Sequence, residues 1–416
     1  VVVREVACRF CGEPLRDVFA DLGSSPLANS YLPPERFSAM EPFYPLRALV
    51  CRSCLLVQLQ EFESTEHIFS DYAYFSSYSK SWLAHARRYV AQIVQRLELD
   101  GTSSVVEVAS NDGYLLQYFR ELHIPVLGVE PAANVAAVAS ARGVPTVVEF
   151  FGRATARRLA AESRADLLIA NNVLAHVPDL HDFLGGVALL LAPGGVVTME
   201  FPHLLRLVEE KQWDTIYHEH FSYLSFLTAT RLFAAHDLRL FDVEEIPTHG
   251  GSLRVYACHA DDRDKPDSPQ ALELRERERL AGYERLDTYT AYAAQLAVDK
   301  RQILTFLIEL KRQGLRVVGY GAPAKGNTLL NYCGLRGDFL DYTVDASPHK
   351  QGRYLPGSRL PIRAPQVLRE DRPDVVLILP WNLREEIVRE HAYIREWGGR
   401  FAVRAQSGGA ELELLP

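Results

Sequence analysis

Through the middle of the chain, short apolar runs alternate with stretches whose apolar residues recur at three- and four-residue spacing. Val105-Val106-Glu107-Val108, Val126-Leu127-Gly128-Val129, Thr146-Val147-Val148, Asp166-Leu167-Leu168-Ile169 and Val196-Val197-Thr198-Met199 read as buried strands between helices. That repetition predicts a parallel sheet with crossover helices. The pattern resumes after Gly314 with Arg316-Val317-Val318-Gly319-Tyr320, Tyr342-Thr343-Val344 and Asp374-Val375-Val376-Leu377-Ile378-Leu379, which predicts a second, smaller α/β unit. Between the two, from about Pro269 to Gly314, a charged stretch nearly free of Gly and Pro carries Leu274, Leu280, Tyr283, Leu286, Tyr289, Tyr292 and Leu296 at helical spacings. It predicts one or two connecting helices. The first stretch, to about residue 66, has Ser24-Ser25-Pro26 and Pro33-Pro34 but few periodic segments, and reads as a small irregular unit that needs a staple. The expected division is 1–66, 67–268 and 269–416. The two α/β units share no extended residue-level repeat, and a distant duplication stays open.

Composition narrows the class. A chain of 416 residues, 48% hydrophobic and 24% charged, is a globular protein of two or three domains. Its formal net charge of -8 argues against nucleic acid as the main partner, because phosphate binding needs a local surplus of Lys and Arg. A small molecule is the expected partner. No apolar run approaches the roughly 20 residues that cross a bilayer, and Val1-Val2-Val3-Arg4-Glu5 lacks the apolar stretch of a signal peptide, so no membrane partner and a cytoplasmic location are expected. The oligomeric state is left open, a monomer being compatible with everything above.

Cys8-Arg9-Phe10-Cys11 and Cys51-Arg52-Ser53-Cys54 form two CxxC pairs, while Cys258 and Cys333 stand alone in apolar surroundings. Four thiolates in two pairs suit tetrahedral zinc, and they close the shell against water, so the ion is structural. The gap between the pairs is longer than in a compact zinc ribbon.

Glu107-Val108-Ala109-Ser110-Asn111-Asp112-Gly113 follows one strand and opens a helix, the place where Rossmann-type sheets bind adenosine cofactors. It has the E-x-G-x-G-x-G spacing of an S-adenosylmethionine loop, with Ala109 and Asn111 where glycines are commonest. The next strand ends at Glu130, where an acid can accept hydrogen bonds from both ribose hydroxyls. The G-x-G-x-x-G fingerprint of NAD sites is absent. Taken singly, Glu107 is equally a strand-edge acid and Glu130 a capping residue before Pro131; together they favour a cofactor pocket. Asn171-Asn172-Val173-Leu174-Ala175-His176 supplies a polar strand tip beside it.

Tyr217-His218-Glu219-His220-Phe221 offers acid and base groups. The HEH spacing lacks the i, i+4 histidines of a zincin. A histidine that titrates near neutrality can take a proton from carbon beside a carbonyl, while a phenol or second histidine hydrogen-bonds the resulting enolate oxygen. The alternative, in which these groups merely satisfy buried backbone, is the less favoured reading. Downstream, Thr248-His249-Gly250-Gly251-Ser252-Leu253-Arg254 is a glycine turn entering a strand, with a cation that could meet an anion. Gly319-Tyr320-Gly321-Ala322-Pro323-Ala324-Lys325-Gly326-Asn327 is a strand-to-helix turn that presents amides and Lys325, suited to a diphosphate although Pro323 has no N–H.

The ordered set of CxxC pairs, VVEVASNDG, GVEP, NNVLAHV, YHEHFSY, HGGSLRVY and GYGAPAKGN resembles the S-adenosylmethionine-dependent nucleotide-sugar C-methyltransferases of antibiotic deoxysugar pathways, across essentially the whole chain. The resemblance implies a small zinc-binding N-terminal domain, a Rossmann-like middle domain for S-adenosylmethionine and a smaller α/β C-terminal domain that helps hold a dTDP-sugar. It implies deprotonation at C3 of a 4-keto sugar and attack of the enolate on the methyl sulfonium. His220 then matches the base; Tyr217 and His176 hold enolate or sugar oxygens; Glu219 orients sugar hydroxyls or the base. Glu107, Ala109, Asn111, Gly113, Glu130 and Asn172 fall on the cofactor side, and Tyr74, Arg254, Tyr320, Lys325 and Asn327 on the substrate side. Methyl transfer to oxygen or nitrogen of a sugar or natural product is the rival enzyme reading, and a zinc-bearing binding module without catalysis is the rival from another class.

Overall fold

A computed structural model describes residues 6–64, 76–404 and 412–415; the expectation for Tyr74 lies outside them. Three sheets organise the chain. The first contains β1 (Asp17–Ser25), β2 (Tyr44–Val50) and β3 (Val57–Leu59), antiparallel in that order. The N-terminal unit is therefore more regular than its turn-rich sequence suggests, and it is not stapled by cysteines alone. Phe19 of β1 stacks on Tyr292 at 4.8 Å, at the start of the long helix Tyr292–Arg312, and one continuous core joins Phe19, Leu46 and Val50 to Ile303 and Leu307.

The second sheet is built from β4 (Val105–Val108), β5 (Val126–Val129), β6 (Thr146–Val147), β7 (Ala165–Asn171) and β8 (Leu191–Pro202). All four residues of β4 are buried, as a central parallel strand covered on both faces requires. The chain then leaves this sheet, and β9 (Ser222–Tyr223) pairs with β3, so the fourth strand of the N-terminal sheet comes from the segment just after Tyr217–His220. The strands β10 (Leu238–Ile246) and β11 (Ser252–His259) return antiparallel to give the order β10-β11-β8-β7-β4-β5-β6.

The 269–314 region holds three helices, Pro269–Leu280, Leu286–Thr290 and Tyr292–Arg312, rather than one or two. The break falls at Gly282 (φ +86°), where the Gly282 and Tyr283 amides turn back onto the Arg279 and Glu278 carbonyls. Nor is this region a mere connection. Glu278, fully buried, accepts the Phe226 and Leu227 amides at 2.7 and 2.8 Å and meets His203 at 2.7 Å, capping the helix Phe226–Ala234 of the middle unit.

The third sheet runs β14-β13-β12-β15-β16-β17, with β12 (Val317–Tyr320), β13 (Thr343–Val344), β14 (Ile362–Arg363), β15 (Val375–Ile378), β16 (Arg400–Arg404) and an antiparallel β17 (Leu412–Leu415). Both α/β sheets thus follow the order third, second, first, fourth, fifth, then an antiparallel strand, which is the edge β17 in the C-terminal sheet and β11, enclosed by the edge strand β10, in the middle one. The carboxyl ends of their first strands, where ligands bind in such sheets, are the Ala109–Gly113 and Gly321–Pro323 turns.

Candidate active site

The Cys8, Cys11, Cys51 and Cys54 sulfurs all lie within 4.8 Å of one another. Each CxxC pair closes with a backbone hydrogen bond from the residue four along, Gly12 N–H to the Cys8 carbonyl and Leu55 N–H to the Cys51 carbonyl, both 2.9 Å, and both closing residues have positive φ. Gln58 donates its amide to Cys8 Sγ at 3.1 Å. Four converging sulfurs with a supporting amide donor fit a closed tetrahedral zinc site.

This knuckle is wired to the strand tip beside it. Arg9 donates to the Pro178 carbonyl at 3.1 Å and lies 5.2 Å over the Phe221 ring. The Phe221 N–H donates to the Ala175 carbonyl at 2.7 Å, and the Leu59 N–H donates to the Phe221 carbonyl at 3.0 Å. The segment carrying Tyr217, Glu219 and His220 is therefore held between the tip of β7 and β3, which places His176 and His220 side by side, 4.7 Å apart and edge to face.

His220 Nδ1 lies 3.1 Å from the Thr215 carbonyl, an acceptor, so Nδ1 carries the ring proton. That leaves Nε2 bare, 2.7 Å from the Tyr217 hydroxyl, which donates to it. Burial, reinforced by His176, holds His220 well below the usual histidine range and keeps the ring neutral. His176 is lowered to about 4 by burial. Glu219 is buried, accepts from Asn29 Nδ2 at 2.7 Å, and is pushed up to about 7 by desolvation.

On the cofactor side, Ala109 (φ 54°), Asn111 (φ 50°) and Gly113 (φ 76°) all take left-handed conformations, alternate residues of one loop. This is the backbone that favours glycine, and Ala109 adopts it against the steric preference of its Cβ, whereas Asn111 is a tolerated substitute. Gly113 is required twice over, because a Cβ there would sit 2.9 Å from Val144 Cγ2. Glu130 accepts the Asn111 and Ala132 amides, both at 2.9 Å. Glu107 is buried and bonded to Tyr114, with Oε2 lacking a hydrogen-bond partner among the described residues, and burial beside Glu130 raises it well above the carboxylate range. A buried carboxyl oxygen left over beside this loop is what an incoming polar cofactor would satisfy, so the residues fit S-adenosylmethionine. Asn172, also left-handed (φ 57°), donates its N–H to the Glu200 carbonyl at 2.7 Å, next to this loop.

The substrate-side expectations divide. Lys325 is half-buried, 4.4 Å over the Trp381 ring and 2.9 Å from Asn382 Oδ1; burial lowers it to about 8, and its charge bears on His220 and His249. Asn327 is fully buried, with neither side-chain polar atom hydrogen-bonded among the described residues. Two of these side chains have partners inside the protein. Arg254 is spent on Glu200 (2.6 Å) and Glu244 (2.9 Å) inside the protein, because β11 turns its side chain toward the acid of β8. Tyr320 alternates onto the outer face of β12, and its hydroxyl meets His391 at 2.7 Å in a separate core. The glycine turn before Arg254 presents His249 instead: His249 (φ 56°) lies 5.4 Å from Trp82, which stacks on His85 at 4.9 Å, and His85 meets Glu200 at 3.1 Å. His85, His249, Asn29 and Tyr31 escaped the sequence reading. The one local signal was the glycine pair after His249.

Known proteins give this geometry a family. Three family descriptions match in succession: "Putative zinc binding domain" over residues 8–69, "Methyltransferase domain" over 82–243 and "C-methyltransferase C-terminal domain" over 247–405. C-methyltransferase NovU of Streptomyces niveus is 38% identical over 404 residues, 97% of this chain and 96% of its own. The chain belongs to the S-adenosylmethionine-dependent C-methyltransferase family. A Ubiquinone biosynthesis O-methyltransferase of Rhodopseudomonas palustris (strain BisA53) is 27% identical over 96 residues, 23% of this chain and 38% of its own. The solved PH0226 protein of Pyrococcus horikoshii OT3 aligns over 48% of this chain and 99% of that one, with 15% identity and a TM-score of 0.38, too low to carry an argument. Among the described residues, no helix of this C-methyltransferase is long and apolar enough to cross a membrane.

Proposed function

We propose that this C-methyltransferase methylates a carbon, C3, of a dTDP-4-keto-deoxysugar through an enolate, as a cytoplasmic step of antibiotic deoxysugar biosynthesis. The observation that carries the reading is His220, a neutral imidazole with its proton fixed on Nδ1 and a bare Nε2 facing Tyr217. Such a nitrogen can take a proton from the sugar carbon beside the keto group. Once Nε2 holds that proton it no longer accepts from the Tyr217 hydroxyl, and Tyr217 and His176 are assigned to hydrogen-bond the oxygen on which charge develops, with Glu219 orienting a sugar hydroxyl. Bound S-adenosylmethionine supplies the electrophilic methyl group. Glu130 is assigned to the ribose hydroxyls, Gly113 to the methionine part, and Glu107, Ala109, Asn111 and Asn172 to the walls of that pocket.

Lys325 and Asn327, beside the first turn of the helix Ala324–Cys333, are assigned to the diphosphate of the nucleotide sugar, because a cation and an orphaned amide are what an anion would satisfy. The units 1–66, 67–268 and 269–416 serve zinc, cofactor and nucleotide sugar in turn. Incubation with S-adenosylmethionine and a panel of dTDP-4-keto sugars, read by mass, should show a gain of one methyl. Loss of deuterium from a substrate labelled at the methylated carbon separates carbon methylation, which must break that bond, from transfer to oxygen or nitrogen; methyl gain with the carbon-bound deuterium fully retained would overturn the reading.

A further inference from the structure

The two α/β units carry the same acid-and-turn device at the same topological place. In the middle unit Glu130 follows β5 and accepts the Asn111 N–H on Oε2 and the Ala132 N–H, two residues on, on Oε1, both at 2.9 Å. In the C-terminal unit Asp345 follows β13 and accepts the Ala322 N–H on Oδ2 at 2.7 Å and the Ser347 N–H, again two residues on, on Oδ1 at 2.8 Å. In both, the first donor lies in the turn after the first strand of the sheet. Their surroundings differ. Among the described residues no cation lies at ion-pair distance from Glu130, whereas Lys350 Nζ stands 3.5 Å from Asp345 Oδ2 and donates to the Ala322 carbonyl at 3.0 Å. The Tyr31 hydroxyl lies 2.6 Å from that same carbonyl. The C-terminal copy is thus neutralised and covered by the chain's own side chains.

From there the contacts run into the active site. The one Tyr31 hydroxyl proton is shared between the Ala322 carbonyl, its nearer acceptor, and Asn29 Oδ1 at 3.1 Å, and Asn29 Nδ2 donates to Glu219 Oε1 at 2.7 Å. The segment is pinned to the C-terminal unit along its length: Leu32 and Tyr354 exchange amide hydrogen bonds of 3.0 and 2.9 Å, Glu41 accepts the Gly357 N–H at 2.9 Å, and Arg359 donates to the Ala39 carbonyl at 2.8 Å. Asn29 itself is exposed and could not hold a fixed orientation unaided; Tyr31 supplies the anchor.

We propose that Asn29 and Tyr31 are positioning residues, a relay through which the covered Asp345 turn of the C-terminal unit fixes the Glu219 carboxyl in the catalytic cluster. The proposal rests on the reading that Glu219 serves methyl transfer. The groups that bear on Glu219 and its relay are His176, Tyr31, Lys350 and Asp345. The Asn29 N–H stabilises the ionised carboxyl, so its loss moves the titration of Glu219 upward.

The test follows the carboxyl band of Glu219 by infrared titration of the full chain, assigned as the band lost in Glu219→Gln. Asn29→Ala should titrate about 0.5–1 pH unit higher than the parent, a discounted shift for an exposed donor. Tyr31→Phe, which keeps the ring and removes only the hydroxyl, should move the band in the same direction by less. Both variants should lose about tenfold in kcat with S-adenosylmethionine affinity unchanged by calorimetry. A band that titrates identically in parent, Asn29→Ala and Tyr31→Phe overturns the relay. If the band moves as expected while the parent methylates no keto sugar, the relay stands and the functional reading fails.

Discussion

The Thr215 carbonyl decides which nitrogen of His220 could serve the proposed reaction. By accepting from Nδ1 at 3.1 Å it leaves Nε2 unprotonated, and burial keeps the ring uncharged. His220→Asn should therefore lower turnover by about 100- to 10,000-fold, the usual worth of a general base, with cofactor affinity nearly intact. Substrate-proton exchange into deuterated solvent, run with S-adenosylhomocysteine, isolates that step; unchanged exchange in the variant moves the base to Tyr217 or His176. Glu130 is a second test at this scale. Its carboxylate ties the cofactor loop to β5 through the Asn111 and Ala132 amides, so Glu130→Ala should weaken S-adenosylmethionine binding by roughly 1–3 kcal/mol. An unchanged dissociation constant by calorimetry counts against the ribose assignment.

At the scale of elements, β9 is the piece that links the four-cysteine cluster to the His220 segment. It is two residues long, begins two residues after His220 and pairs with β3, which starts three residues after Cys54. Chelation of the native protein should remove one zinc per chain, lower the thermal midpoint and abolish methyl transfer together, even though a closed thiolate shell takes no part in the reaction. Full activity after complete zinc loss would show that the sheet holds His220 without the metal. The 248–251 turn makes the corresponding joint to the C-terminal unit. A Cβ at Gly250 (φ +95°) would lie 2.3 Å from the Trp381 ring, whose Nε1 donates to Asp214 at 2.8 Å. Gly250→Ala should cost roughly 1–3 kcal/mol, from overpacking and left-handed strain together, read as a lower denaturant midpoint.

Across the whole molecule, the cluster's burial has consequences for stability against pH. Glu219 is raised from its ordinary value to about 7, so its contribution is fully present below about 4.5 and is lost as pH rises through 7. His176 and His220 are lowered; their contribution is full above about 6.5 and is lost as pH falls, for His176 through about 4. The two trends oppose each other between pH 4.5 and 6.5. Glu219→Gln removes one of them, so relative to the parent the variant should gain stability between pH 4 and pH 8, by on the order of 3 kcal/mol at most. Equal midpoint differences at both pH values would mean that Glu219 is not held protonated by its surroundings.

Elements with a strong local pattern were legible in the chain alone. The run Val105–Val108 could be little else than a buried strand, the CxxC spacing brings soft ligands together whatever surrounds them, and the ordered motifs named the family. Local chemistry also marked His220, Tyr217 and Glu130 as candidates, because each sits within a few residues of the turn or strand end that presents it. Tertiary structure decided what depends on partners far along the chain. Arg254 is consumed by Glu200, 54 residues away in sequence, and Tyr320 by His391, 71 residues away. Asn29 reaches Glu219 across 190 residues, and Tyr31 reaches Ala322 across 291. A hydrogen bond has no sequence periodicity, so whether a polar side chain is spent inside the protein or left for a ligand follows only from which segments the packed sheets bring together.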